Sequence, residues 1–201
     1  MSKISLDPDD KPRCFGTRPG QALYAAYHDE EWGVPVYDDR LLFEMLILEG
    51  AQAGLSWETI LKRREGYRAA YHNFDITKVA AMSDDDLEAL CEDTAIIRHR
   101  LKIFAARTNA RVVMAIQKEC GSFSDYIWGF SDHCVVKNHW KDASEVPVTT
   151  ALSDTLSRDL KRRGCRFVGS TIIYAYLQAI GVVNDHVTSC WCYQKSGNNK
   201  P

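Results

Sequence analysis

No apolar stretch in the 201 residues approaches the ~20 uncharged positions that a membrane-spanning helix requires, so no membrane partner is expected. Nor does an apolar segment of the kind a secretory signal carries follow Met1. The seven cysteines are odd in number, which fits free thiols in a reducing, cytoplasmic setting better than a disulfide framework. Charge of one sign is lacking too. With 25 basic and 27 acidic side chains the net charge is −2, so the chain is not the strongly basic kind that coats nucleic acid indiscriminately. Any nucleic-acid surface has to be a local patch. Candidates are Lys62-Arg63-Arg64, Arg98-His99-Arg100-Leu101-Lys102, and Lys161-Arg162-Arg163 with Arg166. Internal repeats and low-complexity linkers are absent, and 45% hydrophobic residues suffice for one compact core.

Sustained strand alternation is also hard to find, and almost every segment after a polar leader over 1–12 scans as helix. Asp39 is placed to cap a helix through Glu49, Ser56 one beginning at Trp57, and Asp75 a short one over Ile76 to Met82. Ser83 with Asp86 resembles a capping box opening a helix to about Glu92. Ile103, Ala106, Ala110, Val113 and Ile116 recur at helical spacing within Arg98 to Cys120, and Gly121 ends that helix. The pattern weakens between Phe130 and Thr150. The last third reads as a helix from Ser153 or Asp154 to Gly164, a tight hairpin through Phe167-Val168-Gly169-Ser170, and an apolar helix from Thr171 to Ile180 closed by Gly181. The fold class is therefore all-α, with a single domain over 13–193 and a polar tail over 194–201.

Three groups of residues carry chemistry. Glu49 follows the run Leu41 to Leu48, and a carboxylate beside that much hydrocarbon needs a partner if it is buried. Tyr24, Tyr27, Trp32 and Trp57 lie near it in sequence, offering flat faces for a planar cation. The hairpin glycines, Gly164 and Gly169, let backbone N–H groups approach a phosphate, and the next helix presents its positive end there. Such spacing is more often a plain turn. His186 and Cys190 are four apart and share a face if Asn184 to Cys190 turns helically, giving half of a tetrahedral zinc site. Cys14 and His28 are the best-placed candidates for the other half. Four protein ligands leave no open position, so such a site is structural.

Taken together, the strings Tyr24 to Pro35, Leu42 to Trp57, Ile96-Ile97-Arg98-His99-Arg100, Gly164 to Thr171, and Val183-Asn184-Asp185-His186 resemble the 3-methyladenine DNA glycosylase I family, in order, over residues 13 to 193. The resemblance implies a helix-hairpin-helix DNA glycosylase fold and hydrolysis of the N-glycosidic bond of N3-methyladenine in alkylated double-stranded DNA by a monomer. It implies one structural Zn2+ on Cys14, His28, His186 and Cys190. It also implies a base pocket in which Glu49 hydrogen-bonds the base and is the catalytic residue, Tyr27 and Trp57 stack on it, and Tyr24 and Trp32 stand nearby. The DNA-facing elements it implies are Gly54-Leu55 as a wedge and the hairpin residues Gly164, Phe167, Val168, Gly169, Ser170 and Thr171.

Two departures stand out. Cys14-Phe15-Gly16-Thr17 lacks the tryptophan that many members carry two residues after this cysteine, and Ala51 replaces a family glutamine while Gln52 is retained. Asp185 either supports the reacting sugar or orients the ring of His186, and the second role is favoured. Two other readings fit the same residues: a non-catalytic protein that binds alkylated bases, and a zinc-stabilised helical module whose aromatics are only core.

Overall fold

Ten α-helices account for most of the computed structural model, which describes residues 11–194. In chain order they are α1 (Ala22–Glu30), α2 (Asp39–Gln52), α3 (Trp57–Leu61), α4 (Arg64–Ala70), α5 (Ile76–Ala81), α6 (Asp84–Leu90), α7 (Arg100–Cys120), α8 (Phe123–Gly129), α9 (Ala151–Arg162) and α10 (Ser170–Ala179). The exception to an all-helical chain is β1 (Val136–Lys137) paired in parallel with β2 (Val183–Asn184). Two-residue strands are too short to leave a period-2 signal, which is why the sequence hid them. Residues 1–10 of the expected leader and 195–201 of the expected tail lie outside the described residues. The described end of the leader is not loose: Trp191 donates its backbone N–H to Pro12 O at 3.0 Å, and the Lys11 ammonium lies 4.4 Å from the Trp191 ring.

Side-chain caps set most helix starts. Ser56, Asp75 and Ser83 accept from the N–H groups of Thr59, Lys78 and Asp86, and Asp86 returns the bond to Ser83. At α2 the cap is Asp38, not Asp39. Asp39 turns away instead, accepting from the backbone of Phe123 and Ser124 and from Gln117, so it anchors the start of α8. At α9 the cap is Thr150, paired reciprocally with Ser153, and the helix begins earlier than the sequence reading placed it.

Helix α2 runs through the centre, with every residue from Leu42 to Ala51 buried. Two acids are therefore buried on one helix, and they are treated oppositely. Glu44, fully buried, accepts from Arg64 Nε at 2.6 Å and from Arg68 Nη2 at 2.8 Å, which fastens α2 to α4. Arg64 also reaches Glu31 at 2.6 Å, just beyond α1. Replacing Glu44 by alanine removes the buried acid that Arg64 and Arg68 share and leaves each only its exposed partner, Glu31 and Glu65, and urea unfolding should show a loss of about 3 kcal/mol. A loss below about 1 kcal/mol would mean the network contributes only surface-pair energy.

Leu156 and Leu160 of α9 and Ile173 and Leu177 of α10 are all fully buried in one core. Between these helices Gly164 takes φ +102° and Phe167 takes φ +55°. The turn is held from outside itself. Asn109 on α7 pairs with both backbone groups of Arg166, at 3.0 and 2.8 Å, and the Ser157 hydroxyl donates to Val168 O at 2.6 Å.

Candidate active site and metal centre

Glu49 sits on the last turns of α2 with 4% of its surface exposed, and its Oε2 has no hydrogen-bond partner. No ion pair reaches it among the described residues. Burial alone pushes its carboxyl up to about 8. It opens onto a cleft of about 250 Å³, whose other lining residues include Phe15, Tyr24, Tyr27, Trp32, Trp57 and Gln178. The rings touch one another. Tyr27 and Trp57 lie 5.4 Å apart, Phe15 stacks on Tyr24 at 4.5 Å, and Phe15 meets Trp32 edge-on at 5.0 Å. The indole Nε1 of Trp57 is a second buried polar atom without a partner. An acid without a counter-ion and a donor without an acceptor, both on one aromatic cleft, suit a flat ligand that carries positive charge and hydrogen-bonding edges. The same carboxylate is felt by its neighbours: burial first, and Glu49 second, raise the phenols of Tyr24 and Tyr27.

All five residues expected at the base pocket are therefore brought together. Phe15, Gln52, Ala175 and Gln178 complete the lining and were not selected from the sequence. Phe15, next to the position where many family members carry a tryptophan, supplies an aromatic wall. Gln178 is the one polar residue in the latter half of the apolar helix α10, and that isolation was the available signal. Its amide donates to Asp185 Oδ2 at 2.7 Å.

Asp185 does not orient His186. Its carboxylate instead accepts from Asn138, Trp140, Tyr174 and Gln178, each within 2.7 Å, so it joins β1, β2 and α10. Asp29 takes the expected kind of role for the other histidine, accepting from His28 Nδ1 at 2.8 Å. Burial would raise the Asp29 carboxyl, but hydrogen bonds from Arg13, His28 and Trp191 outweigh it and hold it below its usual range.

Cys14, His28, His186 and Cys190 converge, with their donor atoms within 4.8 Å of one another. Cys190 Sγ is 3.4 Å from both His28 Nε2 and His186 Nδ1, and Cys14 Sγ is 3.6 Å from His186 Nδ1. The segment from Asn184 to Cys190 is not helical as the spacing suggested; β2 ends at Asn184 and a tight turn closed by Cys190 N–H to Val187 O brings Cys190 round. Cys192 stands apart from the four, 4.0 Å from the opposite ring nitrogen of His28.

At the C-terminal end of α2, Gly54 takes φ +88° in open space and Leu55 is 41% exposed, so both project beside the cleft-lining Gln52. The cluster Lys62-Arg63-Arg64 is consumed within the protein: Lys62 pairs with Glu58, Arg63 with Thr94 O, and Arg64 with Glu31 and Glu44. Arg100 is paired with Glu88, and Arg162 and Arg163 with Asp159. Arg98, Lys161 and Arg166 remain exposed, with no ion pair among the described residues.

A family model described as methyladenine glycosylase matches residues 17–193. DNA-3-methyladenine glycosylase 1 of Escherichia coli (strain K12) is 52% identical over 179 residues, 89% of this chain and 94% of that protein. A crystal structure of 3-methyladenine DNA glycosylase I superposes with a TM-score of 0.87 at 49% identity, covering 90% of this chain and 99% of the other. A solved structure of 3-methyladenine DNA glycosylase I from Staphylococcus aureus, described by its recognition of 3-methyladenine, superposes with a TM-score of 0.84 at 34% identity, over 90% of this chain and 94% of the other. With the match spanning the buried acid, the aromatic cleft and the hairpin alike, this chain belongs to the methyladenine glycosylase family.

Proposed function

We propose that this protein is a DNA repair glycosylase that extrudes N3-methyladenine from alkylated double-stranded DNA into the aromatic cleft and hydrolyses its N-glycosidic bond. The observation that carries the reading is Glu49: a buried acid without a basic partner, lining a cleft whose other walls are rings. N3-methylation leaves the nucleoside cationic. Tyr27 and Trp57 stack on that cation, each contact worth about 0.5–2 kcal/mol, with Tyr24, Trp32 and Phe15 closing the wall. Glu49 is neutral in the empty cleft and gives its proton to solvent water as the cation enters, becoming its counter-charge and hydrogen-bond acceptor. The C1′–N9 bond then breaks with both electrons going to the base, which leaves as neutral 3-methyladenine. Water adds to C1′ and gives up its proton to solvent, which carries off the positive charge the nucleoside brought. Unmodified adenine brings neither the positive charge nor the weakened bond, so the cleft discriminates on both.

In this reading Gly54-Leu55 fills the place of the extruded base, and the hairpin from Gly164 to Thr171 grips the backbone through its N–H groups and the start of α10. A single copy acts on the duplex, in a cytoplasmic setting that the seven unbridged cysteines support. Incubation with N-methylated duplex is the test: release of 3-methyladenine is expected, whereas retention of the lesion without release would make the protein a binder.

The four-residue cluster fits zinc. The outer ring nitrogens of His28 and His186 are occupied by Asp29 and by Trp32 O at 3.1 Å, which leaves an unprotonated nitrogen on each ring facing the thiols. Three of the donor separations, at 3.4–3.6 Å, are those of a tetrahedron with metal bonds of ~2.0–2.3 Å, and all the donors lie within 4.8 Å of one another. Zinc there would supply a structural clip between residues 14 and 28 and the 186–190 turn, with no open position for water. Purified protein should carry about one equivalent. The Cys190→Ser variant should lose most of it and melt at lower temperature; full zinc content in that variant would contradict the ligand set.

A further inference from the structure

Lys102 is the least explained cation near the site. It lies on the first turn of α7, partly buried, and its ammonium makes no ion pair among the described residues. It donates instead to two backbone carbonyls, Ala51 O at 2.9 Å and Ala53 O at 2.7 Å. These carbonyls stand at the C-terminal end of α2, where helical partners run out and the helix dipole is negative. The same ammonium is 5.9 Å from the ring of Phe167, the hairpin residue held at φ +55°. Gly50, one turn back on α2, faces that residue so closely that a Cβ there would sit 3.4 Å from Phe167 Cβ and O. One side chain thus touches the end of α2, where Gln52 enters the cleft and Gly54-Leu55 begins, and lies against the DNA-facing hairpin.

Desolvation lowers the Lys102 ammonium, and no attraction to Glu49 offsets it. The lysine is therefore not the missing counter-ion of the acid. We infer that Lys102 is a positioning residue: it fixes the Ala51–Leu55 turn against the hairpin, so that the wedge enters the duplex in register with the backbone grip. A free base entering the cleft needs no wedge, whereas a base stacked in a duplex does. The inference rests on the reading of Gly54-Leu55 as the wedge.

The experiment compares wild type, K102M, K102R, L55A and the K102M/L55A pair in two assays: single-turnover release of 3-methyladenine from N-methylated duplex, and binding of free 3-methyladenine. K102M should slow release by ~10-fold or more, as small misplacements at a reacting centre do, while free-base affinity stays within about twofold of wild type. K102R, which keeps the donors and charge, should recover most of the rate. Losses in the double variant should fall short of the product of the single ones, because both act on one turn. If L55A is slow but K102M releases base at the wild-type rate, Lys102 is not a positioning residue. An equal fall in free-base affinity would assign it a general structural role and overturn the inference. Wild-type behaviour of L55A would remove the wedge and this inference with it, leaving the glycosylase reading to stand on release by the wild-type protein.

Discussion

Glu49→Gln should cut the release of 3-methyladenine from alkylated duplex by at least about tenfold, the loss expected when a hydrogen bond to a charged group worth ~1.5–3 kcal/mol is removed. Glutamine keeps the shape and one acceptor oxygen, so the aromatic walls formed by Tyr27, Trp57, Phe15, Tyr24 and Trp32 stay in place. What disappears is the ability to become negative when a cation arrives. The effect should therefore be large for the cationic lesion and small for a neutral planar ligand of the same outline. Release at the wild-type rate would remove Glu49 from the chemistry.

The second large effect concerns stability and runs the other way. Glu49 is fully buried with its carboxyl at about 8, against an ordinary value of 4.5. Below pH 4.5 it is neutral in the folded and unfolded chain alike and exerts no pH-dependent cost. As pH rises from 4.5, the unfolded chain releases this proton while the folded protein keeps it until about 8. Stability is thereby lost at about 1.4 kcal/mol per pH unit, toward ~5 kcal/mol across the window. Glu49→Gln abolishes the term. Relative to wild type, the variant should gain stability steadily between about pH 5 and pH 8 and level off above that, read as a rising difference in urea midpoint. A difference that does not change with pH would show that the carboxyl titrates as an exposed one does. An acid that weakens the fold at neutral pH while improving recognition is what a functional residue in an apolar cleft should look like.

The helices were legible where local chemistry decides them. Ser56, Asp75 and Ser83 cap what their spacing predicts, and Gly121 and Gly164 end helices with the positive φ that glycine permits. Errors came where a side chain answered a distant demand. Asp39 looked like a cap, yet it serves Phe123 and Ser124 from across the chain. Asp185 looks like a histidine partner from adjacency, yet it collects donors from two separate segments, residues 138–140 and α10. His186 and Cys190 meet through a turn after β2, a geometry that helical spacing mimics.

The cleft was half legible. Glu49, Tyr24, Tyr27, Trp32 and Trp57 are close in sequence and stood out as a group, whereas Gln178 and Ala175 reach it from α10, more than a hundred residues later. Of the basic clusters, Lys62-Arg63-Arg64 is partly turned inward, and the sequence does not reveal that its Arg64, with Arg68, neutralises the other buried acid, Glu44. That difference between Glu44 and Glu49 is the most informative contrast in the molecule. Five residues apart on one helix, one acid accepts hydrogen bonds from two arginines and the other has no ion pair among the described residues.

The most direct measurement is a carbon-13 titration of the Glu49 carboxyl, in the free protein and in complex with a duplex carrying a hydrolysis-resistant N3-methylated adenine. An apparent pKa near 8 is expected in the free protein, falling by about two units or more when the cationic base occupies the cleft. A value near 4.5 in the free protein, or one that the lesion leaves unchanged, would contradict the claim that a buried, unpaired acid recognises the charge of the extruded base.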